Sequence, residues 1–221
     1  MEIVHQLDKI KILPASVVTI GSYDGIHRGH HEILKSVVHH ASALKIPSVL
    51  VTFDPHPREI VNKKFDHFPL IMNMDLKLET IKSYGVDIVY IINFTKRYSK
   101  ITANEFMNNT IMPFFNPKKI IIGLNHFFGK GREGTPSFLK KFGETNDIDI
   151  DIIQPVLNNN SEISSTRIRK FISLGLMEQA NYELGTKFSI SGFVVRGAGR
   201  GRKLAFQTAN IKPLDKNQLL P

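Results

Sequence analysis

The sequence predicts an α/β fold in which helices cover both faces of a parallel sheet. Short runs of β-branched residues alternate with segments of helical periodicity between residues 17 and 153. Because parallel strands are joined by crossover connections that are usually helical, this alternation favours a parallel sheet with right-handed crossovers. The alternation then stops, and from residue 187 the sequence is typical of short β-strands. We therefore expect a first domain over residues 1–186 and the beginning of a β-rich unit over 187–221.

The strands of the first domain are predicted where β-branched residues cluster, over 17–21, 48–54, 87–94, 119–123 and 148–153. The most regular helix spans 30–44 and has apolar residues at spacings of three and four: Ile33, Leu34, Val37, Val38 and Ala41. Weaker helical patterns lie around 74–84, 103–112 and 136–142. Ligands of such sheets bind at the carboxyl ends of the strands, so the residues that follow each strand are the candidates for function.

Two connections, 54–70 and 123–135, are long for a compact domain. Long ordered loops are often functional, which makes both of them candidate parts of a binding site. The alternative for the first loop is a disordered excursion at the surface. The final 35 residues, 187–221, contain a predicted strand, a Gly/Arg loop and a second extended piece. This is fewer than the roughly 40 residues that an independent core needs, so the segment must pack against the first domain or stay loose.

The net charge of +9 is distributed unevenly. Residues 187–221 contain seven basic residues and a single acidic one, Asp215, so they carry +6 of this charge. Since the first 186 residues carry only the remaining +3, a uniformly basic surface for binding nucleic acid is disfavoured. The Gly/Arg stretch 197–202 is a weak candidate for RNA binding because no aromatic residue lies between its arginines.

The absence of cysteine excludes disulfides, thiolate nucleophiles and Cys-ligated metal sites. Any metal would therefore be held by oxygen or by histidine. The N-terminal residues mix charged residues with single apolar ones and do not form a signal peptide. No apolar run approaches the roughly 18 residues of a membrane span. We expect a cytoplasmic protein, on the absence of targeting signals.

The segment GSYDGIHRGH, residues 21–30, follows the first predicted strand and leads into the first predicted helix. Its glycines permit a tight turn and a close approach of the backbone to a ligand. His27 and His30 are three residues apart, so both imidazoles would lie on one face at the N-terminus of the helix. Helix N-termini bind phosphate, and two imidazoles there could stabilise charge on a phosphoryl group during transfer. His31, His39 and His40 are interpreted as solvated helix positions.

A second cluster, ISSTRIRKF at 163–171, places three hydroxyls before or at the start of a helix that carries Arg167 and Arg169. The hydroxyls can cap the helix. Capping a helix needs one hydroxyl, so it does not explain why three hydroxyls and two arginines occur together here. The same set could also bind a polyphosphate through backbone N–H groups, hydroxyls and guanidinium groups.

With these motifs in order, the chain resembles the nucleotidylyltransferase superfamily. More narrowly, TFDPHP at 52–57, GLNHFFGKGREG at 123–134 and ISSTRIR at 163–169 resemble the FMN adenylyltransferase module of bacterial bifunctional riboflavin kinase/FAD synthetase. The resemblance covers essentially the whole chain, because residues 191–211 are similar to the entrance of the riboflavin kinase module. It implies a Rossmann-like parallel sheet with helices on both faces, followed by the incomplete start of a β-barrel.

The resemblance also implies a reaction and a role for particular residues. His27 and His30 would stabilise the transition state as the FMN phosphate attacks the α-phosphorus of ATP and pyrophosphate leaves. The segment that would hold the triphosphate comprises Ser164, Ser165, Thr166 and Arg169. The rest of the ATP and phosphate site would consist of Gly21, Tyr23, Asp24, Gly25 and Gly29. The flavin site would be shaped by Asp54, Pro55, His56, Pro57 and Asn125. The loop departs from the family pattern at His126 and Phe127, which follow Asn125.

The expected substrates are ATP and FMN, the expected product is FAD, and Mg²⁺ would accompany ATP without a dedicated site on the first domain. No nucleic-acid or membrane partner is expected, and the oligomeric state is left open. In the kinase segment, Thr208 and Asn210 would be the vestigial pair that meets nucleotide phosphate and Mg²⁺. This chain has AFQTAN where the family commonly has GFPTAN, and it ends at Pro221. Riboflavin phosphorylation is therefore not expected of it.

Three alternatives to an FMN adenylyltransferase are kept. A related enzyme could transfer a nucleotidyl group to another phosphate acceptor. The chain could bind flavin or nucleotide without turnover, as the inactive product of a truncated bifunctional gene. It could also be a basic nucleic-acid binder, which would show steeply salt-dependent affinity.

Overall fold

The computed structural model describes residues 1–7, 11–62, 68–197 and 209–221. Six parallel strands form one sheet in the order β1–β4–β3–β2–β5–β6. Their bounds are β1 Glu2–Val4, β2 Ser16–Ile20, β3 Ser48–Asp54, β4 Ile88–Asn93, β5 Pro117–Gly123 and β6 Asp149–Ile153. The α/β prediction is confirmed. The edge strand β1 was not predicted, because three residues are too few to show a periodicity.

Helices cover both faces of the sheet, as predicted. Their bounds are α1 Arg28–Leu44, α2 Pro57–Val61, α3 Met74–Ser83, α4 Ala103–Phe106, α5 Met112–Phe115, α6 Pro136–Asn146, α7 Ser165–Ser173 and α8 Met177–Leu184. A π-helical turn, Met107–Ile111, joins α4 to α5. None of the helices in the described ranges is long and apolar enough to cross a bilayer.

The two faces of the sheet bury separate apolar cores because strand side chains alternate between them. On one face, Val49 and Val51 of β3 pack in a cluster with residues of α4, α5 and α6. On the other face, Leu50 of the same strand packs in a cluster with residues of α1 and α3. The apolar face predicted for the first helix is confirmed, since the buried residues of α1 are Ile33, Leu34, Val37 and Ala41.

The last part of the chain contains two antiparallel strands, β9 Gly192–Val195 and β10 Asn210–Pro213. Two shorter strands, β7 Leu157–Asn158 and β8 Ser161–Glu162, form a small hairpin before α7. Near the C-terminus, the Leu70 N–H donates to the Asn217 carbonyl at 2.7 Å and the Leu219 N–H donates to the Leu70 carbonyl at 2.7 Å. The C-terminal residues thus contact the first domain at Leu70. The predicted domain boundary at 186/187 stays a prediction.

Candidate active site

The sheet order places a crevice between β2 and β5. From β2 the chain adds β3 and β4 on one side, and it then returns to add β5 and β6 on the other side. Ligands of open α/β sheets bind at such a switch point, outside the carboxyl ends of the strands. A cavity of about 540 Å³ lies there, and its lining includes Gly21, directly after β2, and Gly123, the last residue of β5.

Two stacked imidazoles lie in this cavity at the start of α1. His27 is the N-cap residue of α1, and the centroids of the His27 and His30 rings are 3.8 Å apart with an angle of 17° between their planes. The prediction that both rings share one face of the helix is confirmed. Burial, aided by the charges of His31 and Arg169, lowers the pKa of His27 to about 4. Burial also lowers the pKa of His30 well below its usual range. Both rings are therefore neutral at neutral pH and can donate an N–H.

The Nδ1 atoms of His27 and His30 are buried and have no hydrogen-bond partner among the residues that the structure describes. Buried polar atoms in native proteins are rarely unpaired, so these two atoms call for a ligand or ordered water. The positive end of α1 lies at the same place. Together these features fit the binding of an anion such as a phosphate.

The turn between β2 and α1 is held in an unusual backbone conformation. Gly25 has a φ of 84°, and Tyr23 and Ile26 also have positive φ, at 48° and 37°. The Tyr23 hydroxyl lies 2.6 Å from Thr19 Oγ1, and its ring centroid lies 4.9 Å from that of His30. Burial raises the pKa of Tyr23, so its hydroxyl stays protonated. Tyr23, like Gly21 and Gly29, lines the cavity, whereas Gly25 does not.

Asp24 is not among the residues that line the cavity, and its assignment to the ATP and phosphate site stays a prediction. It is 1% exposed. Its carboxylate accepts the N–H of Ile71 at 3.0 Å and that of Met72 at 3.3 Å, and it forms an ion pair with Arg169. Through these contacts Asp24 anchors the turn between β2 and α1 to the 69–72 segment and to α7.

Arg169 lines the cavity, but its described hydrogen bonds go to protein atoms. Its guanidinium donates to Asp24 and, through Nε, to the Pro69 carbonyl at 2.7 Å. It also lies over the Phe68 ring, 4.4 Å from the centroid. These contacts fix the side chain at the cavity wall. A direct role of Arg169 in holding the triphosphate stays a prediction.

The N-terminus of α7 faces the same cavity. Ser164 is its N-cap and accepts the N–H of Arg167 at 3.3 Å, so the predicted capping role is confirmed. Ser165 Oγ donates to the Asp24 carbonyl at 2.8 Å. Thr166 Oγ1 accepts from Arg58 at 3.4 Å. All three hydroxyl residues line the cavity, so the N-termini of α1 and α7 converge on one space.

The DPHP turn after β3 begins with a cis peptide bond between Asp54 and Pro55. Of its four residues, His56 lines the cavity and Asp54, Pro55 and Pro57 do not, so their part in a flavin site stays a prediction. His56 Nδ1 accepts the Arg58 N–H at 3.1 Å, and the His56 ring stacks on Phe68 with centroids 4.4 Å apart. Burial, together with nearby positive charge, lowers the pKa of His56 to about 3.

Asn125 follows β5 and also lines the cavity, and its role in flavin binding stays a prediction. Its side-chain amide donates to Glu162 at 2.7 Å. Close by, Arg132 lies over the Phe127 ring, 4.4 Å from the centroid. The loop 123–135 is ordered, with a short 3₁₀ turn, Lys130–Arg132, and a β-bridge between Phe128 and Gly134.

The lining also includes residues that the sequence analysis did not assign to the site, among them Arg58, Phe127, Arg132 and Glu162. Arg58 directly follows the DPHP turn and Glu162 directly precedes ISSTRIR, so proximity to the motifs was the available signal. Of the kinase pair, Asn210 opens β10, whereas Thr208 lies outside the described residues. Among the described ranges, no group of three His, Asp or Glu side chains could hold a metal ion.

Comparison with known families gives two matches along the chain. The FAD synthetase family model matches residues 9–167, and the riboflavin kinase family model matches residues 184–221. The first match contains the turn between β2 and α1, which we call the glycine turn (residues 21–27). It also contains the DPHP turn, the 123–135 loop and the start of α7.

Individual relatives agree with these matches. A protein of Buchnera aphidicola (subsp. Acyrthosiphon pisum), named bifunctional riboflavin kinase/FMN adenylyltransferase, is 36% identical over 222 residues, covering 100% of this chain and 70% of the relative. The equally named Escherichia coli K12 protein is 33% identical over 88% of this chain and 62% of its own length. A solved structure from Streptococcus pneumoniae, described as a macrolide-efflux protein, superposes with a TM-score of 0.87 at 32% identity, over 99% of this chain and 70% of that one.

Proposed function

The chain belongs to the FAD synthetase family, and from this membership we propose that it is an FMN adenylyltransferase, which transfers AMP from ATP to FMN and yields FAD and pyrophosphate. The observation that carries the proposal is the pair of stacked, neutral imidazoles of His27 and His30 at the N-terminus of α1, facing the N-terminus of α7 across one cavity. Relatives named bifunctional riboflavin kinase/FMN adenylyltransferase support it.

The reaction needs no covalent enzyme intermediate. A phosphate oxygen of FMN attacks the α-phosphorus of ATP, a new P–O bond forms, and the bond to the bridging oxygen of pyrophosphate breaks. Phosphoryl-group chemistry of this kind depends on positioning and on stabilising negative charge. Neutral His27 and His30 would donate N–H groups to the oxygens of the α-phosphate, where charge develops in the transition state.

The triphosphate is proposed to bind between the two helix N-termini. The backbone N–H groups at the start of α7 and the hydroxyls of Ser164 and Thr166 line that side of the cavity. Arg58, exposed and in contact with Thr166, can turn a guanidinium toward the leaving pyrophosphate. Mg²⁺ would enter as part of the MgATP substrate, held mainly by phosphate oxygens and water.

The flavin is proposed to bind between the DPHP turn and the 123–135 loop. His56 stacked on Phe68 forms one wall, and Asn125 held by Glu162 forms the other. The amide of Asn125 donates to Glu162, and its oxygen could accept a hydrogen bond from the N–H of a flavin ring. We also propose a cytoplasmic location and no nucleic-acid partner. The riboflavin kinase match is confined to 184–221, and phosphorylation of riboflavin is not part of this proposal.

The test is a purified sample incubated with ATP, Mg²⁺ and FMN, with FAD measured by chromatography. We expect FAD and pyrophosphate in equal amounts. The double variant His27→Ala/His30→Ala should lose at least about a hundredfold in kcat. His39→Ala, an exposed histidine on the same helix, is the matched control and should keep wild-type activity.

Two further measurements distinguish this function from the alternatives, which are transfer to another acceptor and binding without turnover. Pantetheine phosphate and nicotinate mononucleotide are offered in place of FMN, and faster turnover of either would assign the chain to another acceptor. Calorimetry with FMN and ATP detects binding without turnover. FAD formation no higher than in the double variant, with binding intact, would contradict the proposed activity.

A further inference from the structure

Lys77 is a buried lysine at a position where the helix pattern calls for an apolar residue. It lies on α3, four residues before Ile81, and these two are the buried residues of that helix. Lys77 is 4% exposed. It also follows the N-terminus of α3 by only one turn, where the helix dipole opposes a positive charge. A residue that breaks the local rule in two ways at once is expected at functional sites.

The ammonium of Lys77 lies directly behind the wall of the cavity. Its Nζ donates to the carbonyl of Ser22 at 2.9 Å, and Ser22 lines the cavity in the glycine turn. Burial lowers the pKa of Lys77, and the carboxylates of Asp24 and Asp54 act in the opposite direction. The positive charge of Lys77 is also felt by His30 and His56, whose pKa values it lowers. The ammonium therefore lies among the groups that surround the candidate site.

The buried positive and negative charges around the glycine turn are not equal in number among the described residues. Asp24 is buried and already forms an ion pair with Arg169. Asp54 is exposed. In the part of the chain that the structure describes, Lys77 forms no ion pair of its own. Among the described residues near Ser22, two buried cations, Lys77 and Arg169, thus lie near one buried anion, and a buried charge without a counter-charge is costly. The cavity on the other side of Ser22 is where the phosphates are proposed to bind.

We propose that Lys77 is a positioning residue, whose buried ammonium fixes the Ser22 carbonyl of the glycine turn and adds positive potential to the cavity from behind its wall. The effect on rate rests on the proposed adenylyl transfer, whereas the effect on ATP affinity does not. In a site of low dielectric, a charge one residue layer away still acts strongly on a phosphate. Because Lys77 is not among the lining residues and donates to the Ser22 carbonyl, it would act through the turn and through its electrostatic field.

The cysteine-free chain permits a test that separates charge from shape. In the variant Lys77→Cys, the single thiol is alkylated in denaturant and the protein is refolded. Reaction with 2-bromoethylamine restores an ammonium at the length of lysine. Reaction with iodoacetamide gives a neutral amide of similar size that can still donate a hydrogen bond. Wild type carried through the same steps controls for refolding, and Lys82→Cys, exposed on the same helix, controls for alkylation.

ATP affinity is measured by calorimetry, FAD formation by chromatography, and folding by thermal melting. We expect the ammonium form to bind ATP within about threefold of wild type, and the neutral form to bind about tenfold more weakly while melting as a folded protein. FAD formation should follow the same order, with a lower kcat in the neutral form. Equal ATP affinity of the two forms, or failure of the ammonium form to recover affinity after wild type has refolded, overturns the proposal. Wild type that binds ATP but makes no FAD rejects the proposed function, and the affinity comparison still decides the role of Lys77.

Discussion

Arg169 and Asp24 are 145 positions apart in the sequence and form a buried ion pair at the candidate active site. The pair connects the second motif, at the start of α7, to the glycine turn of the first motif. Asp24 also accepts the backbone N–H groups of Ile71 and Met72. One carboxylate thus connects the turn between β2 and α1, the 69–72 segment and α7, and so holds the two motifs together.

Removing one partner of this pair should be strongly destabilising. In Asp24→Asn, the guanidinium of Arg169 is left buried without its counter-charge, and the free energy of unfolding should fall by about 3–5 kcal/mol. Urea unfolding measures the change. Glu32→Gln, which removes the exposed ion pair with Lys35, is the control and should cost less than about 1 kcal/mol. A loss in Asp24→Asn no larger than in this control would mean that the buried pair does not hold the site together.

Stability should fall as the pH drops below 6.5. The folded-state pKa of His27 is lowered from 6.5 to about 4 and that of His56 to about 3, so the unfolded chain binds more protons than the folded one between these values. The contribution of these two histidines to the free energy of unfolding is thus fully present above pH 6.5 and is lost as the pH falls through this window. In His56→Asn, which keeps an acceptor for the Arg58 N–H, the slope should be smaller by up to about 1.4 kcal/mol per pH unit.

The stability of the 123–135 loop should depend on the close approach of Gly129 to the backbone of Ala103. Gly129 has a φ of 72°, and a Cβ there would lie 2.6 Å from the backbone nitrogen of Ala103. Gly131 has a similar φ of 63°, but a Cβ there would meet nothing within 4 Å. Gly131→Ala should therefore cost only the left-handed penalty of about 1–2 kcal/mol. Gly129→Ala should cost more, and urea unfolding of the two variants side by side isolates the steric contribution. Equal losses would contradict the close approach.

Arg58 should contribute to the affinity for ATP. It is exposed at the edge of the cavity and contacts Thr166 at the start of α7. Arg58→Ala removes a charge-assisted contact worth about 1.5 kcal/mol, so the KM for ATP should rise by roughly tenfold with little change in the KM for FMN. Arg97→Ala, another exposed arginine outside the cavity lining, should leave both values unchanged. A parallel rise in both KM values would instead indicate a general loss of structure.

Local patterns were enough to predict most of the elements. The five long strands, α1 and the capped start of α7 were all predicted, because burial on both faces of a strand or one face of a helix leaves a direct periodic signal. The three-residue strand β1 and the five-residue helix α2 were not predicted, since each contains fewer than two periods of its pattern. The π-helical turn, Met107–Ile111, changes the hydrogen-bond register without changing the apolar pattern.

The residues of the candidate site were predicted more completely than their arrangement. The sequence by itself determined the parallel α/β fold and the motifs that line the cavity, since strand periodicity, glycine turns and helix caps are properties of neighbouring residues. The tertiary structure alone decided that Asp24 is buried, that Arg169 is paired with it, that His27 and His30 stack, and that Lys77 is buried beneath Ser22. These relationships join residues from separate crossovers, and their charges and distances exist only once the sheet order has brought β2, α3 and α7 together.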